Sequence, residues 1–123
     1  MYMQKIKVYE YQNCSSCKKA LKFLDAKKIP YERVPILDRP PTEGEVQQMI
    51  EFSGGNLRKL FNTAGQQFKE FQIAKRIDSM TKQEAIDLLS KHGKLVKRPF
   101  LLHPAFGLLG FKEDEWAKQF RNI

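Results

Sequence analysis

Cysteine is scarce in this 123-residue chain: there are two, Cys14 and Cys17, three positions apart. A disulfide scaffold of the secreted kind needs several more, and a bridge across so short a loop constrains the unfolded chain little, so the pair is not there for bulk stability. Histidine is equally scarce. With only His92 and His103 as nitrogen donors, and no paired spacing, a metal site of the four-ligand zinc type is not expected. No apolar run is long enough for a signal peptide or a membrane span, so a cytoplasmic protein with no membrane contact is expected. Acidic residues are also short, 14 against 22 basic ones, for a formal net charge of +8. The excess fits an anionic partner, such as an oxyanion, an acidic peptide or an acidic protein surface. It equally fits a solvated helix face carrying Lys18, Lys19, Lys22, Lys27 and Lys28. Neither a zinc-finger nor an RNP-type aromatic motif is present, so direct nucleic-acid binding is not expected. Repeats, low-complexity tracts and linkers are lacking, and the length suits one domain spanning residues 1–123.

The two cysteines sit in an informative place. Lys5-Ile6-Lys7-Val8-Tyr9 alternates apolar and polar residues, which predicts a strand, whereas Cys17, Ala20, Leu21 and Leu24 recur at helical spacing. Cys14 therefore falls at a helix N-terminus, where unpaired N–H groups and the positive end of the helix favour a thiolate over a thiol. Asn13, Ser15 and Ser16 make the turn polar, so Cys14 reads as a nucleophile rather than a small buried hydrophobe. Cys17, one helical turn on, is either a resolving thiol or core packing on the Ala20–Leu24 face. Ser15 and Ser16 either hydrogen-bond the sulfur or cap the helix.

Tyr31 to Ile36 reads as a second strand, with Pro35 favouring an edge or a strand end. Thr42-Glu43-Gly44-Glu45 and Thr81-Lys82-Gln83-Glu84 are capping boxes opening helices, the first with Val46, Met49 and Ile50 inside, the second with Ala85, Ile86, Leu88 and Leu89 inside and Gly93 at its end. Between them a short helix is expected over 57–61, capped by Asn56, and short helical turns over 66–74. Two apolar runs, 100–102 and 108–111, flank His103-Pro104-Ala105-Phe106-Gly107 and predict a hairpin, in which His103 is a turn residue or, less simply, a proton shuttle. A last helix over 113–121 places Trp116 and Phe120 in the core together with Phe100 and Leu102.

Cys-x-x-Cys at the first strand-to-helix turn of a β-α-β unit resembles a thioredoxin-like fold. Lys59-Leu60-Phe61-Asn62-Thr63-Ala64-Gly65, Lys97-Arg98-Pro99 and Leu109-Gly110-Phe111 narrow this, making residues 5–121 similar to the arsenate reductase (ArsC)/Spx family. The resemblance implies an α/β fold with a mixed four-stranded sheet (β-α-β … β-β-α), a thioredoxin-like core at 4–37 and 95–122, and a helical insertion at 42–93. In the family's glutaredoxin-coupled arsenate reductases a cysteine matching Cys14 attacks arsenate and three arginines hold the oxyanion. Arg98 matches one of these, while Asn62 and Phe111 stand at the other two places. Losing two bidentate partners weakens oxyanion affinity, unless Arg58, Lys59 or Arg76 substitutes. Arg98 without that role is a solvated charge at a strand edge. Pro99 is expected to be cis beside the cysteines.

Cys17 stands where the single-cysteine reductases carry serine, which implies a built-in resolving partner. The expectation is a thiol-disulfide oxidoreductase, a monomer with no bound cofactor, taking electrons from glutathione, glutaredoxin or thioredoxin and acting on a small thiol or oxyanion or on a protein disulfide. The alternative is a redox switch like the Spx regulators, which bind the RNA polymerase α subunit, although Phe61-Asn62-Thr63-Ala64-Gly65 looks more like the reductase branch and no basic tail follows the last helix. Arsenate reductase proper is the third reading.

Overall fold

The computed structural model describes residues 6–121. Lys5 of the predicted first strand, and the core limits drawn at residues 4 and 122, lie outside them. Strand β1 (Lys7–Glu10) leads into α1 (Ser15–Ala26), which returns the chain so that β2 (Glu32–Pro35) runs parallel to β1. A helical lobe follows, made of α2 (Glu43–Phe52), α3 (Gln66–Glu70), α4 (Ile73–Arg76) and α5 (Lys82–Lys91), with 3-10 turns at Leu57–Leu60, Ile77–Ser79 and Gly93–Leu95. Strand β3 (Phe100–His103) then pairs antiparallel with β1, β4 (Phe106–Leu109) pairs antiparallel with β3, and α6 (Glu113–Phe120) closes the described chain. The strand order is β2-β1-β3-β4, the mixed four-stranded sheet anticipated above.

Strand alternation sorts the apolar residues into two cores. Val8, Leu101 and Leu108 are neighbours in register on one face, buried with Ala20 and Leu24 of α1 and with Trp116 and Phe120 of α6. Tyr9, Phe100 and Leu102 point the other way, into Val46, Met49, Ile50 and Leu89 of the lobe. The lobe is thus packed on the sheet rather than appended to it. Pro35, which has no N–H to give a ladder, ends an edge strand.

Both capping boxes form in full. Thr42 and Thr81 accept the N–H groups of Glu45 and Glu84 at 3.2 and 3.1 Å, and each carboxylate reaches back to the threonine N–H. Glu45 also accepts from the Tyr9 hydroxyl and, at 3.0 Å, from Lys7 Nζ, which ties α2 to β1.

Several expectations are corrected. The turns over 66–74 are interrupted at Gln72, whose φ of 52° is left-handed and splits α3 from α4. The hairpin is tighter than predicted: the strands run to His103 and from Phe106, leaving Pro104 and Ala105 as the turn. Its second strand stops at Leu109, because Gly110 turns the chain at φ +69°. His103, expected as a turn residue, is instead the buried last residue of β3, its Nδ1 accepting the Ala105 N–H at 2.9 Å and its ring stacked on Phe106. Leu88 is half-buried at the rim of the core rather than inside it.

Gly93 does more than stop a helix. A Cβ there would lie 2.2 Å from the carbonyl oxygen of Ile36, so only glycine lets the end of α5 approach the exit of β2. Gly93→Ala is expected to cost about 1–3 kcal/mol or more in urea unfolding, since backbone rather than a flexible side chain must give way.

Candidate functional site

The chain leaves β1 at Glu10, turns through residues 11–13 and enters α1. The Cys14 N–H donates to the Tyr11 carbonyl at 3.0 Å, closing the turn, and the Cys14 carbonyl accepts the first helical bond from Lys18 at 3.1 Å. Cys14 itself is the N-cap: its φ and ψ are extended (−105°, 117°), and its Sγ accepts the Cys17 N–H at 3.3 Å. The capping role expected of Ser15 or Ser16 therefore falls to the cysteine sulfur. Ser15 is exposed and Ser16 half-buried in the first helical turn, and among the described residues neither hydroxyl is hydrogen-bonded to that sulfur.

The two thiols are free and differ sharply. Cys14 is half-buried, whereas Cys17 is fully buried on the face of Ala20 and Leu24. Burial first, then the hydrogen bond to Cys14, pushes the Cys17 thiol up to about 12; a backbone hydrogen bond from Tyr11 opposes this, and the charges of Cys14 and Glu10 add to it. A sulfur that accepts an N–H at a helix N-terminus stands in front of one that holds its proton.

Arg98 is half-buried, with its guanidinium carbon 5.0 Å from the centre of the Tyr11 ring, and the Arg98-Pro99 peptide is cis. Pro99 is buried, and its carbonyl accepts the Gly110 N–H at 2.9 Å, anchoring the approach to β3. Asn62 is fixed by its own N–H, which donates to the Leu95 carbonyl at 2.7 Å, while its side-chain amide reaches the Lys94 carbonyl at 3.5 Å. Gly65 permits this, because a Cβ there would stand 2.7 Å from Asn62 Nδ2.

Arg98 and Asn62 share a cavity of about 210 Å³, which Tyr11, Gln67 and Lys94 also line. Gln67 lines the cavity, and its Oε1 is buried without a hydrogen-bond partner among the described residues. None of the proposed replacement cations reaches this cavity. Arg58 and Lys59 line a different groove, and Arg76 donates to the Phe71 carbonyl at 3.4 Å. Phe111 lies in an aromatic cluster, 5.8 Å from Phe23 and 5.0 Å from Trp116 between ring centres. Among the described residues there is no cluster of three or more metal-ligating side chains and no helix long and apolar enough to cross a membrane.

Tyr11, Lys94, Gln67 and Glu10 are the residues that sequence reasoning missed. Tyr11 joins the two halves of the site. Its backbone serves both cysteines, and its ring lies beneath Arg98 and walls the cavity. Its position directly after the strand, three residues before the first cysteine, was the available signal.

A mixed sheet of this order with Cys-x-x-Cys at the first strand-to-helix turn defines a thioredoxin-like protein. The chain belongs to the ArsC family, whose model matches residues 9–119. It is 33% identical over 110 residues to the protein YusI of Bacillus subtilis, covering 89% of this chain and 93% of that one. It is 27% identical over 110 residues to the global transcriptional regulator Spx 1 of Lactococcus lactis, covering 89% and 84%. The crystal structure of an ArsC family related protein from Bacteroides fragilis superposes with a TM-score of 0.84 at 39% identity, covering 95% and 97% of the two chains.

Proposed function

We propose that this protein is a cytoplasmic thiol-disulfide oxidoreductase with Cys14 as nucleophile and Cys17 as resolving thiol. The observation that carries the reading is the asymmetry of the pair: an accessible sulfur receiving a helix N–H, backed by a buried thiol held in the protonated form. The Cys14 thiolate attacks one sulfur of a disulfide, forming a mixed disulfide and expelling the other sulfur as a thiolate. Cys17, once deprotonated, attacks Cys14 Sγ, releases the second thiolate and leaves a Cys14–Cys17 disulfide. A dithiol of thioredoxin or glutaredoxin type, or two molecules of glutathione, supplies the two electrons that restore the thiols.

The cavity supports a substrate class. Lys94 and Arg98 supply positive charge, and Asn62 and Gln67 neutral amides. A peptidic thiol or disulfide, which carries a carboxylate next to an amide N–H, meets all of these, whereas a tetrahedral oxyanion meets one arginine where the reductases resembled above use three. Arg98→Ala should raise KM for a carboxylate-bearing disulfide about tenfold or more with little change in kcat, the scale of a lost charge-assisted hydrogen bond. Equal KM values in the two proteins would remove Arg98 from the binding site.

The function itself is tested by incubating reduced protein anaerobically with oxidised glutathione or, separately, with arsenate, and following free thiols and intact mass. Loss of two thiols with glutathione disulfide alone is the expected result. Arsenate-dependent loss would make the protein an arsenate reductase instead, and loss with neither would remove the enzymatic reading. A second reading draws on the likeness to proteins named Spx and MgsR over most of this chain. In it the cysteine pair is a switch that alters docking on RNA polymerase, through its α subunit, and a pull-down recovering polymerase only with one redox form would favour it.

A further inference from the structure

We propose that the outer edge of β4 is a docking site for an extended, acidic segment of a partner protein, which adds to the sheet as a fifth strand. Strand β4 ends the sheet, with β3 as its one strand neighbour. Along it runs a groove of about 580 Å³, between the C-terminal end of α2 and the start of α6. Gly107, Leu108 and Leu109 all line this groove. Consecutive strand residues point to opposite faces, so what three in a row share with one groove is the strand's edge, with its backbone N–H and C=O groups.

The walls specify the occupant. Phe52 stands in the groove at 39% exposure, one of two large hydrophobic residues so exposed among the described residues, and offers an apolar contact. Arg58, Lys59, Lys97 and Lys112 supply four cations against the single carboxylate of Glu115. The ion pairs among the described residues are Lys7–Glu45 and Arg33–Glu10, so none of these four cations is neutralised. A strand alternating acidic and apolar side chains satisfies all three features: its backbone pairs with β4, and its side chains meet Phe52 and the cations along the groove walls. The lysines along α1 offer charge without an open edge. The groove is also separate from the cavity beside Arg98, since Phe61 and Lys97 line the groove while their neighbours Asn62 and Arg98 line the cavity.

The probe is a capped octapeptide alternating Asp and Val, titrated into the full chain labelled for amide NMR and hydrogen exchange, beside a Lys/Val peptide and an Asp/Val peptide N-methylated at alternate residues. The acidic peptide should perturb and protect amides in Phe106–Leu109, bind more weakly as salt rises, and lose about tenfold or more in affinity to an Arg58→Glu/Lys112→Glu double variant. The Lys/Val and N-methylated peptides should not bind. Failure of the acidic peptide to bind, shifts centred on the α1 lysines, or unchanged affinity in the folded double variant would overturn the site. Binding of the N-methylated peptide would overturn the strand addition.

Discussion

Cys14→Ser should lower disulfide turnover at least about a thousandfold, the scale of deleting a nucleophile, while Cys17→Ser should carry out one attack and stop as a stable mixed disulfide. The difference follows from the two positions. Serine at 14 keeps an N-cap oxygen for the Cys17 N–H, so α1 still forms, and what is lost is the attacking sulfur. Serine at 17 leaves Cys14 and its N–H donor in place but removes the second thiolate. Intact mass would show the trapped adduct, and turnover persisting in Cys14→Ser would refute the assignment. The resolving step carries its own signature. Only the Cys17 thiolate attacks, and a thiol pushed up to about 12 is almost wholly protonated at neutral pH, so its reactive fraction rises tenfold per pH unit until that value is approached. Forming the mixed disulfide removes the hydrogen bond and charge of Cys14 and leaves burial, which still holds the thiol above its ordinary range. The rate of internal resolution should therefore climb with a slope near one between pH 6.5 and 8.5, where an unburied thiol would begin to level off.

What could be read in advance was what short stretches of chain decide. The strand before Cys14, the helix after it and both capping boxes depend on neighbours within four residues, and they form where the pattern placed them. The cavity was legible only in part. Arg98 and Asn62 came from a family resemblance, but Tyr11, Gln67 and Lys94 come from separate segments that meet through the bridge between Phe61 and Val96 and the packing of the lobe on the sheet. No local spacing encodes that meeting. The same limit explains Arg58, Lys59 and Arg76, which stand at promising places in the sequence but face other parts of the surface. The break at Gln72 had no glycine to announce it: a residue that tolerates a left-handed φ only at some cost is held there by Phe71 and Ile73 packing on either side.

Trp116→Ala should destabilise the fold by about 3–5 kcal/mol, the range for deleting a fully buried large aromatic side chain. The indole lies edge-on to Phe23 of α1, with ring centres 6.0 Å apart, and 5.0 Å from Phe111, and its Nε1 donates to the Gly110 carbonyl at 3.1 Å. It thereby joins α6, the end of β4 and the helix whose first residue follows the Cys14 cap. Removing it opens a cavity beneath α1 and leaves a buried carbonyl without its donor, two costs with separate origins. Trp116→Phe separates them, since it fills most of the space but cannot donate, and should cost about 1–3 kcal/mol. Because the chain has one tryptophan, the comparison has to be made by circular dichroism during urea unfolding rather than by indole emission. Equal losses in the two variants would place the whole effect in the hydrogen bond. A loss in Trp116→Ala well below about 3 kcal/mol would mean that the surrounding side chains close over the space the indole leaves.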